Sequence, residues 1–412
     1  MINNRVPWRI VFVLCATATA GYICRVNIST VGPLLLKELK ITETQFGYII
    51  SALILGYALF QAPAGALADR FGTRRVLIFS AWLWIATTIV QIFINWGPFH
   101  NTAFIALVSF MVFRFILGIT VSPMYPATIH GVSQWVLPKY QGRANGIVLS
   151  SIGIGSALTL LLVSYIMKYW GWRLAMVGST IPALIMIFVL RSVKEPDHSD
   201  ITIPEKTGNI FNKKFSDIFK LFNRSFTFLT ISYTLQGYVG YIFVSWFYMY
   251  LIKQRHFEYI NGAWMASLPW ILSIFCIPLG GIFSDRLIKS KLGLTWGSRF
   301  IPLTAMILSG IFISIGAHTS NAITAAVCLA FATVFVLCVE SPFWTMMLRV
   351  SGANSGTAGG LMNMGCNLGG LVSPIITPFV AHYIGWENAL HLAAIIAIIA
   401  AVLWLGIRPK EE

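Results

Sequence analysis

Three charged side chains lie inside stretches that are otherwise apolar: Arg25 in "GYICRVNIST", Arg114 in "RFILG" and Glu340 in "VLCVESPFW". An arginine at the centre of a bilayer costs between ~2.5 and ~17 kcal/mol, depending on how the cost is measured. A guanidinium matches a carboxylate with two parallel hydrogen bonds, so Arg25 and Arg114 indicate the binding of an anion. Glu340 is the one acidic residue that we place within a span, where it can take up and release a proton. The alternatives are arginines tied to helix carbonyls and a glutamate in a static ion pair.

The segments around these residues are typical of a polytopic membrane protein. Hydrophobic residues make up 57% of the 412-residue chain and charged residues 10%, against roughly 45–50% and ~25% in soluble domains. The mean hydropathy is +0.76. The apolar runs are about 20 residues long and continuous rather than alternating, which favours membrane-spanning helices over a barrel. We place twelve spans, near 8–33, 46–67, 76–95, 104–131, 144–167, 173–190, 225–251, 263–283, 300–317, 322–348, 357–380 and 388–406.

The distribution of positive charge predicts topology. The net charge is +15, and most of the lysines and arginines fall in the two tails and in the alternate loops on the same side. The positive-inside rule then places both termini in the cytoplasm. The net positive charge is therefore explained by the orientation of the chain in the lipid bilayer, and no nucleic-acid partner is expected. The six cysteines show no metal-ligand spacing, so we expect neither a metal nor a cofactor.

Two short motifs recur at nearly the same spacing in the two halves of the chain. "GALADR" at 65–70 is echoed by "GIFSDR" at 281–286, and "YWGW" at 169–172 by "YIGW" at 383–386. Parallel repeats of this kind predict two six-helix bundles with a substrate site near the membrane midplane between them. We assign them to residues 1–190 and 225–412, joined by a polar cytoplasmic connector at 191–224.

The loop "GALADRFGTRR" at 65–75 resembles the signature of the major facilitator superfamily. Its glycine permits close helix approach, its aspartate can pair with a cation or a helix N-terminus of the opposite bundle, and its arginines can reach carboxylates or helix C-terminal carbonyls. Such contacts would hold one face shut; the alternative is that these charges serve topology alone. The predicted gating residues are Gly65, Asp69, Arg70 and Arg74, with Asp285 and Arg286 as a weaker counterpart in the second half.

A narrower resemblance covers nearly the whole chain. "RVNIST", "GYALFQAPAGALADRFGTR", "RFILGITVSPMYPA" and "GTAGGLMNMGCNLGGLVSPIITPFV" resemble the anion:cation symporter family. This family includes bacterial galactonate, hexuronate and glucarate carriers and animal sialin and vesicular glutamate transporters. The resemblance implies the major facilitator fold and transport of an organic anion, usually driven by a proton. Together with the placement of Arg114 inside a span, it predicts the substrate-binding residues Arg25, Tyr57, Arg114, Ser341, Trp344 and Asn363.

The chain departs from these carriers at the positions that usually handle the proton. Cys24 stands before Arg25 where an acidic residue is usual, and Val121 stands where a glutamate follows Arg114. Glu340 is our hypothesis for a substitute proton site. Ile152 falls near a position that is often glutamine, which favours a less hydroxylated acid. A cavity without these two acidic residues should carry a net positive charge, which suits an anion with one or two negative charges.

These observations predict a monomeric, multi-pass protein of the cell inner (plasma) membrane that is a transporter and not an enzyme. Its substrate would be a small organic anion, either a carboxylate, a sugar acid or a dicarboxylate, moved by alternating access with a proton as co-substrate. A facilitator or anion exchanger without the usual proton site is the alternative. A non-transporting sensor or scaffold is less favoured, and no nucleophile–base pair or metal set in the spans points to catalysis.

Overall fold

The computed structural model describes residues 8–95, 102–193, 223–351 and 355–409, apart from the side chains at positions 62, 65, 66, 69, 138, 139, 355 and 356. Within these ranges the chain is helical and contains no strand. The helices are α1 (Trp8–Leu39), α2 (Glu43–Phe71), α3 (Thr73–Ile92), α4 (Ala103–Val121), α5 (Met124–Trp135), α6 (Pro138–Leu149), α7 (Ser151–Gly178), α8 (Ile181–Arg191), α9 (Arg224–Ser245), α10 (Phe247–Lys253), α11 (Tyr259–Ile288), α12 (Gly293–His318), α13 (Ala322–Cys338), α14 (Glu340–Ser351) and α15 (Ser355–Leu403), followed by a 3₁₀ turn at Trp404–Gly406.

Several helices begin at a polar residue that accepts a hydrogen bond from the first turn. Thr42 and Gln45 form a reciprocal capping box at the start of α2. Asn223 and Asn321 cap α9 and α13 through their side-chain oxygens. These bonds satisfy backbone N–H groups that have no partner inside the helix.

Nine helical stretches within the described ranges are long and apolar enough to cross a membrane. Two of them, at 140–191 and 357–406, are 52 and 50 residues long, which is more than one crossing requires. The prediction of an all-helical membrane protein is therefore confirmed. The count of twelve spans, the side of the termini and the division at 191–224 stay predictions, and most of the connector lies outside the described residues.

Both long stretches are interrupted by a glycine from the repeated motif. Gly171 has φ 80° and ψ 170°, and Gly385 has φ 87° and ψ 157°. This region of backbone space is essentially reserved for glycine. The echo of "YWGW" by "YIGW" thus corresponds to the same sharp corner in the two halves of the chain.

The chain forms two compact units, and the first contains Met1–Thr202 and Phe247–Ile271. In this unit α2 and α4 approach each other closely at Gly56 and Gly118. A methyl group added to Gly118 would lie 2.8 Å from the backbone nitrogen of Tyr57, and one added to Gly56 would lie 3.2 Å from the backbone nitrogen of Ile119. Only glycine permits this backbone contact, and it fixes the position of Tyr57.

The second unit contains Ile203–Trp246 and Leu272–Glu412. Here α9 and α15 approach each other at Gly237 and Gly369; an added methyl group at Gly369 would lie 2.8 Å from the nitrogen of Tyr238. The predicted tenth span is broken at Val339, which separates α13 from α14. Pro342 explains the break, because proline has no N–H to donate to the carbonyl of Cys338 four residues earlier.

Each unit shows large apolar side chains on its surface and polar ones inside. Phe79 and Phe104 are 67% and 72% exposed, whereas Asn27, Gln91 and Arg114 are fully buried. A soluble protein would not expose so many aromatic rings, but a membrane protein faces hydrocarbon.

Candidate functional site

Arg114 is fully buried and bonded to three neighbours in the first unit. Its Nε donates to Gln91 Oε1 at 2.8 Å, and its Nη2 donates to Asn27 Oδ1 at 2.7 Å. Its Nη1 donates to the backbone carbonyl of Arg25 at 3.3 Å. Arg114 therefore ties α4 to α1 and α3 through neutral acceptors, and it holds the backbone of α1 at Arg25.

Asn27 extends this network to the end of α7. Its Nδ2 donates to Ser179 Oγ at 2.8 Å, and Ser179 in turn donates to the carbonyl of Met176 at 2.6 Å. Cys24 donates its thiol to the carbonyl of Ser179, with the sulfur 3.6 Å from the oxygen. The turn of α1 that contains Arg25 is consequently fixed from the sides of α3, α4 and α7.

Arg25 itself is partly buried, and its guanidinium lies over two tyrosine rings. The guanidinium carbon is 4.3 Å from the centre of the Tyr57 ring and 5.5 Å from that of Tyr22. Gln61 donates to the Tyr57 hydroxyl at 3.1 Å, which orients the ring. A guanidinium contacts an aromatic ring through its face and a carboxylate through its N–H edge, so this arrangement is compatible with a bidentate bond to a carboxylate.

Both positions at which the resembling carriers have acids are fully buried here. Cys24 and Val121 are each 0% exposed. Ile152, at the position that is often glutamine, is partly buried. In the first unit, then, these three places offer neither a carboxylate nor an amide.

Glu340 lies in a polar cluster of the second unit. Tyr233 donates its hydroxyl to Glu340 Oε1, and Trp344 Nε1 donates to the same oxygen at 3.1 Å. Gln236 Nε2 lies 3.5 Å from Oε2 and also donates to the carbonyl of Val336 at 3.1 Å. The ring of Phe343 packs against Tyr233 with centroids 4.8 Å apart. The cluster therefore supplies donors to an anionic carboxylate on both of its oxygens.

The helix break places Glu340 at the N-terminal end of α14, a position that favours a negative charge. Glu340 is the first residue of α14, where the unpaired N–H groups of a helix favour negative charge. Gly280 of α11 faces the broken turn, since a methyl group added there would lie 3.0 Å from the carbonyl carbon and the sulfur of Cys338. The Glu340 carboxylate therefore lies directly after the interruption of the predicted tenth span.

The remaining predicted substrate residues lie in the second unit. Trp344 is 37% exposed and bonds to Glu340, while Ser341 and Asn363 are partly buried. The carbonyl of Asn363 accepts from Asn367 Nδ2 at 2.9 Å, and Tyr241 donates to Asn367 Oδ1 at 3.3 Å. Ser341 and Trp344 share a helix with Glu340, whereas Asn363 belongs to α15.

The predicted gating residues are only partly described. Gly65 and Asp69 belong to α2, but the side-chain surroundings of both positions lie outside the part of the chain that the structure describes. Arg74 Nη2 donates to the carbonyl of Arg191, the last residue of α8, at 3.0 Å. Both residues belong to the first unit, and the gating role stays a prediction. The others are exposed, namely Arg70, Asp285 and Arg286.

Sequence reasoning missed the neutral polar residues that hold the charged ones. The signal was present, because amides are costly inside an apolar span and call for a partner just as charges do. In the described part of the chain, no group of three His, Cys, Asp or Glu side chains is arranged to hold a metal ion. The missed residues are Asn27, Gln91, Ser179, Tyr233 and Gln236.

The sequence is similar to several bacterial carriers of organic acids. It is 28% identical to a "probable sulfoacetate transporter" of Cupriavidus necator, covering 90% of this chain and 87% of the relative. It is 23% identical to a hexuronate transporter of Bacillus subtilis, with 95% and 92% covered. It is 25% identical to a "probable galactarate/D-glucarate transporter" of Escherichia coli, with 96% and 93% covered.

The fold is shared with solved transporter structures. A bacterial homologue of the human lysosomal transporter Spinster, in an inward-facing state, superposes with a TM-score of 0.81 at 15% identity, covering 98% of this chain and 97% of that one. A D-xylose–proton symporter superposes with a TM-score of 0.74 at 16% identity, with 98% and 99% covered.

The sequence pattern of the Major Facilitator Superfamily matches residues 10–374 and 349–412. The predictions of a multi-pass membrane protein and of a transporter rather than an enzyme are confirmed by this match and by the relatives. The chain belongs to the Major Facilitator Superfamily.

Proposed function

We propose that this protein is a secondary active transporter of a small organic anion in the cell inner (plasma) membrane, working by alternating access, and that Arg25 binds the carboxylate of the substrate. The observation that carries the proposal is the placement of Arg25. Its backbone is held by the buried Arg114, and its side chain lies over the Tyr57 ring at 4.3 Å. A cation fixed in this way loses little freedom on binding, which favours affinity for an anion. In this scheme Arg114 positions Arg25, and Tyr57 orients it.

The proposed substrate is a compact acid with few hydroxyl groups and one or two negative charges. Relatives are named for hexuronate and galactarate/D-glucarate, and one for sulfoacetate. Sulfoacetate carries a sulfonate and a carboxylate but no hydroxyl groups. Ile152 supports a substrate of this second kind, because an apolar side chain cannot hydrogen-bond a polyhydroxylated chain. Ser341, Trp344 and Asn363 are proposed as the substrate-binding residues of the second unit.

Glu340 is proposed to carry the coupled proton. Tyr233, Trp344 and Gln236 donate to the ionised carboxylate, and they stabilise it until a change in the surroundings of α14 alters those bonds. Protonation turns one carboxylate oxygen into a donor, so a bond donated to that oxygen must then be rearranged, as for Gln236 if the proton is on Oε2. Anion exchange without a proton is the second candidate, and it is favoured by the buried Cys24 and Val121.

The role of Arg25 is tested by binding and uptake of labelled mono- and dicarboxylates, sulfonates and sugar acids in proteoliposomes. We expect Arg25→Ala to weaken anion binding by at least about thirtyfold. Arg25→Lys should weaken anion binding less than Arg25→Ala does. Lysine keeps the positive charge but lacks the planar guanidinium that forms two parallel hydrogen bonds with a carboxylate. The control is Lys37→Ala, which removes a charge from an exposed position of the same helix. Retained affinity in both Arg25 variants would refute the assignment.

The role of Glu340 is tested by recording proton flux during anion uptake with a dye inside the liposomes. Glu340→Gln should abolish anion-driven proton flux while anion counterflow continues, and Glu258→Gln, at an exposed position, should behave as wild type. Flux that survives in Glu340→Gln removes Glu340 as the coupling site. Absence of flux in the wild-type protein, with counterflow intact, would establish exchange instead.

A further inference from the structure

A cleft of about 530 Å³ lies on the first unit, away from Arg25 and its network. It is lined by Arg74, Arg75, Ile78, Phe79, Trp82 and Arg191. Five of these residues come from the first half of α3 and one from the last position of α8. None of its aromatic residues is used by the proposed transport mechanism.

The sequence of α3 makes one face of the helix basic at its start and apolar above. Positions 75, 78, 79 and 82 follow helical spacing and therefore lie on one side. The bond from Arg74 to the carbonyl of Arg191 holds the end of α8 against this face. The cleft thus lies between the first half of α3 and the end of α8.

The basic end of the cleft combines three guanidinium groups. Among the side chains that the structure describes, no carboxylate forms an ion pair with Arg74, Arg75 or Arg191; the recorded pairs involve other residues. The first turn of α3 adds its unpaired N–H groups to the same end. Three neighbouring guanidinium groups favour an anion that accepts several hydrogen bonds, such as a phosphate.

The other end of the cleft is apolar and open to the surroundings of the protein. Phe79 is 67% exposed and Trp82 is 44% exposed, and both lie on a helix apolar enough to span the membrane. Trp82 is the tenth of the 20 residues of α3 and lies about 10 Å along the helix from Arg75, which is the direction in which an acyl chain would extend from a headgroup held at the basic end. A free phosphate ion would leave this apolar wall unused, whereas a phospholipid would cover it with an acyl chain.

We propose that this cleft binds an anionic phospholipid on the side that the charge distribution predicts to be cytoplasmic. The phosphate is held by Arg75 and Arg191 with help from Arg74, and one acyl chain packs along Phe79 and Trp82. Basic pockets between spanning helices on this side of a membrane are suited to such headgroups. The bound lipid would join the beginning of α3 to the end of α8.

The test is native mass spectrometry of the purified full chain with added phosphatidylglycerol or phosphatidylcholine, together with thermal unfolding in the same mixtures. Wild type should bind phosphatidylglycerol preferentially and be stabilised by it. Arg75→Gln/Arg191→Gln should bind it roughly thirtyfold less tightly, at about a factor of five for each arginine near a headgroup. Arg75→Lys/Arg191→Lys should keep most of the preference, which separates lost charge from lost folding.

The matched control removes two exposed charges from the second unit, on the same predicted side: Lys289→Gln/Lys291→Gln. An equal loss of lipid preference in this control would show a general charge effect and overturn the proposal. So would an unchanged preference in Arg75→Gln/Arg191→Gln. Full competition by inorganic phosphate would show that the cleft takes the free ion and not a lipid.

Discussion

Replacement of Asn27 by leucine tests the reading of Arg114 as a cation that positions its neighbours. Leucine matches asparagine closely in size, so the change removes polar contacts without leaving a large cavity. Two bonds are lost: the one that Arg114 Nη2 donates at 2.7 Å, and the one that Asn27 donates to Ser179 at 2.8 Å. Because Asn27 is fully buried, water cannot replace either partner.

The expected cost follows from the kinds of bond removed. A hydrogen bond to a charged group contributes about 1.5–3 kcal/mol and a neutral one about 1 kcal/mol. Bonds inside membranes are often weaker, at about 0.6 kcal/mol for neutral pairs. We therefore expect Asn27→Leu to lower the free energy of unfolding by about 2–4 kcal/mol. Anion affinity should fall as well, since Arg114 also holds the backbone of Arg25 at 3.3 Å.

The assay is reversible unfolding in mixed micelles, combined with anion binding on the same samples. Ser164→Ala is the matched control, because this buried hydroxyl donates to the carbonyl of Leu161 in its own helix and to no other group among the described residues. The double variant Asn27→Leu/Arg114→Leu should lose at least about 1 kcal/mol less than the two single losses together, as expected of residues in direct contact. Additive losses, or a cost of Asn27→Leu no larger than that of Ser164→Ala, would refute the reasoning.

Three further outcomes are expected. Tyr57→Phe should keep anion affinity within a factor of about two, whereas Tyr57→Leu should lose roughly two- to thirtyfold in a binding assay, because the ring contact with Arg25 at 4.3 Å is worth about 0.5–2 kcal/mol; equal effects would contradict this. Gly118→Ala should lower thermal stability by about 1–3 kcal/mol through helix overpacking, while Gly146→Ala, with no atom within 4 Å of the added methyl group, should not. Gly171→Ala should cost about 1–3 kcal/mol in the same unfolding assay, because its φ of 80° strains any L residue, and an unchanged midpoint would contradict that account.

The sequence was sufficient to predict the class of fold, since apolar runs and bilayer thickness leave few alternatives. The repeated "YWGW" and "YIGW" also predicted duplication, and the corners at Gly171 and Gly385 have the same backbone conformation. Periodicity could not locate the break at Val339, because a run of apolar residues reads as one continuous span. The signal in the sequence there is Pro342.

The candidate site was only partly predictable, for a physical reason. The cost of burying a charge identifies Arg25 and Arg114 from sequence, but it does not say which protein groups each guanidinium bonds to. That depends on partners distant in the chain, such as Gln91 and Ser179, and a single sequence does not reveal their proximity. The sequence therefore does not distinguish the two arginines, and the structure is needed to identify the three protein acceptors of Arg114.

The two glycine corners have a consequence for the handedness of the chain. At Gly171 and Gly385 an added methyl group would meet no atom within 4 Å, so space is not the reason for glycine at either position. The reason is the backbone, because φ is 80° at Gly171 and 87° at Gly385, and such positive φ values disfavour L residues. A D-alanine, which prefers positive φ, would therefore be less strained at either corner than an L-alanine. Each half of the protein thus depends on one residue that has no handedness of its own.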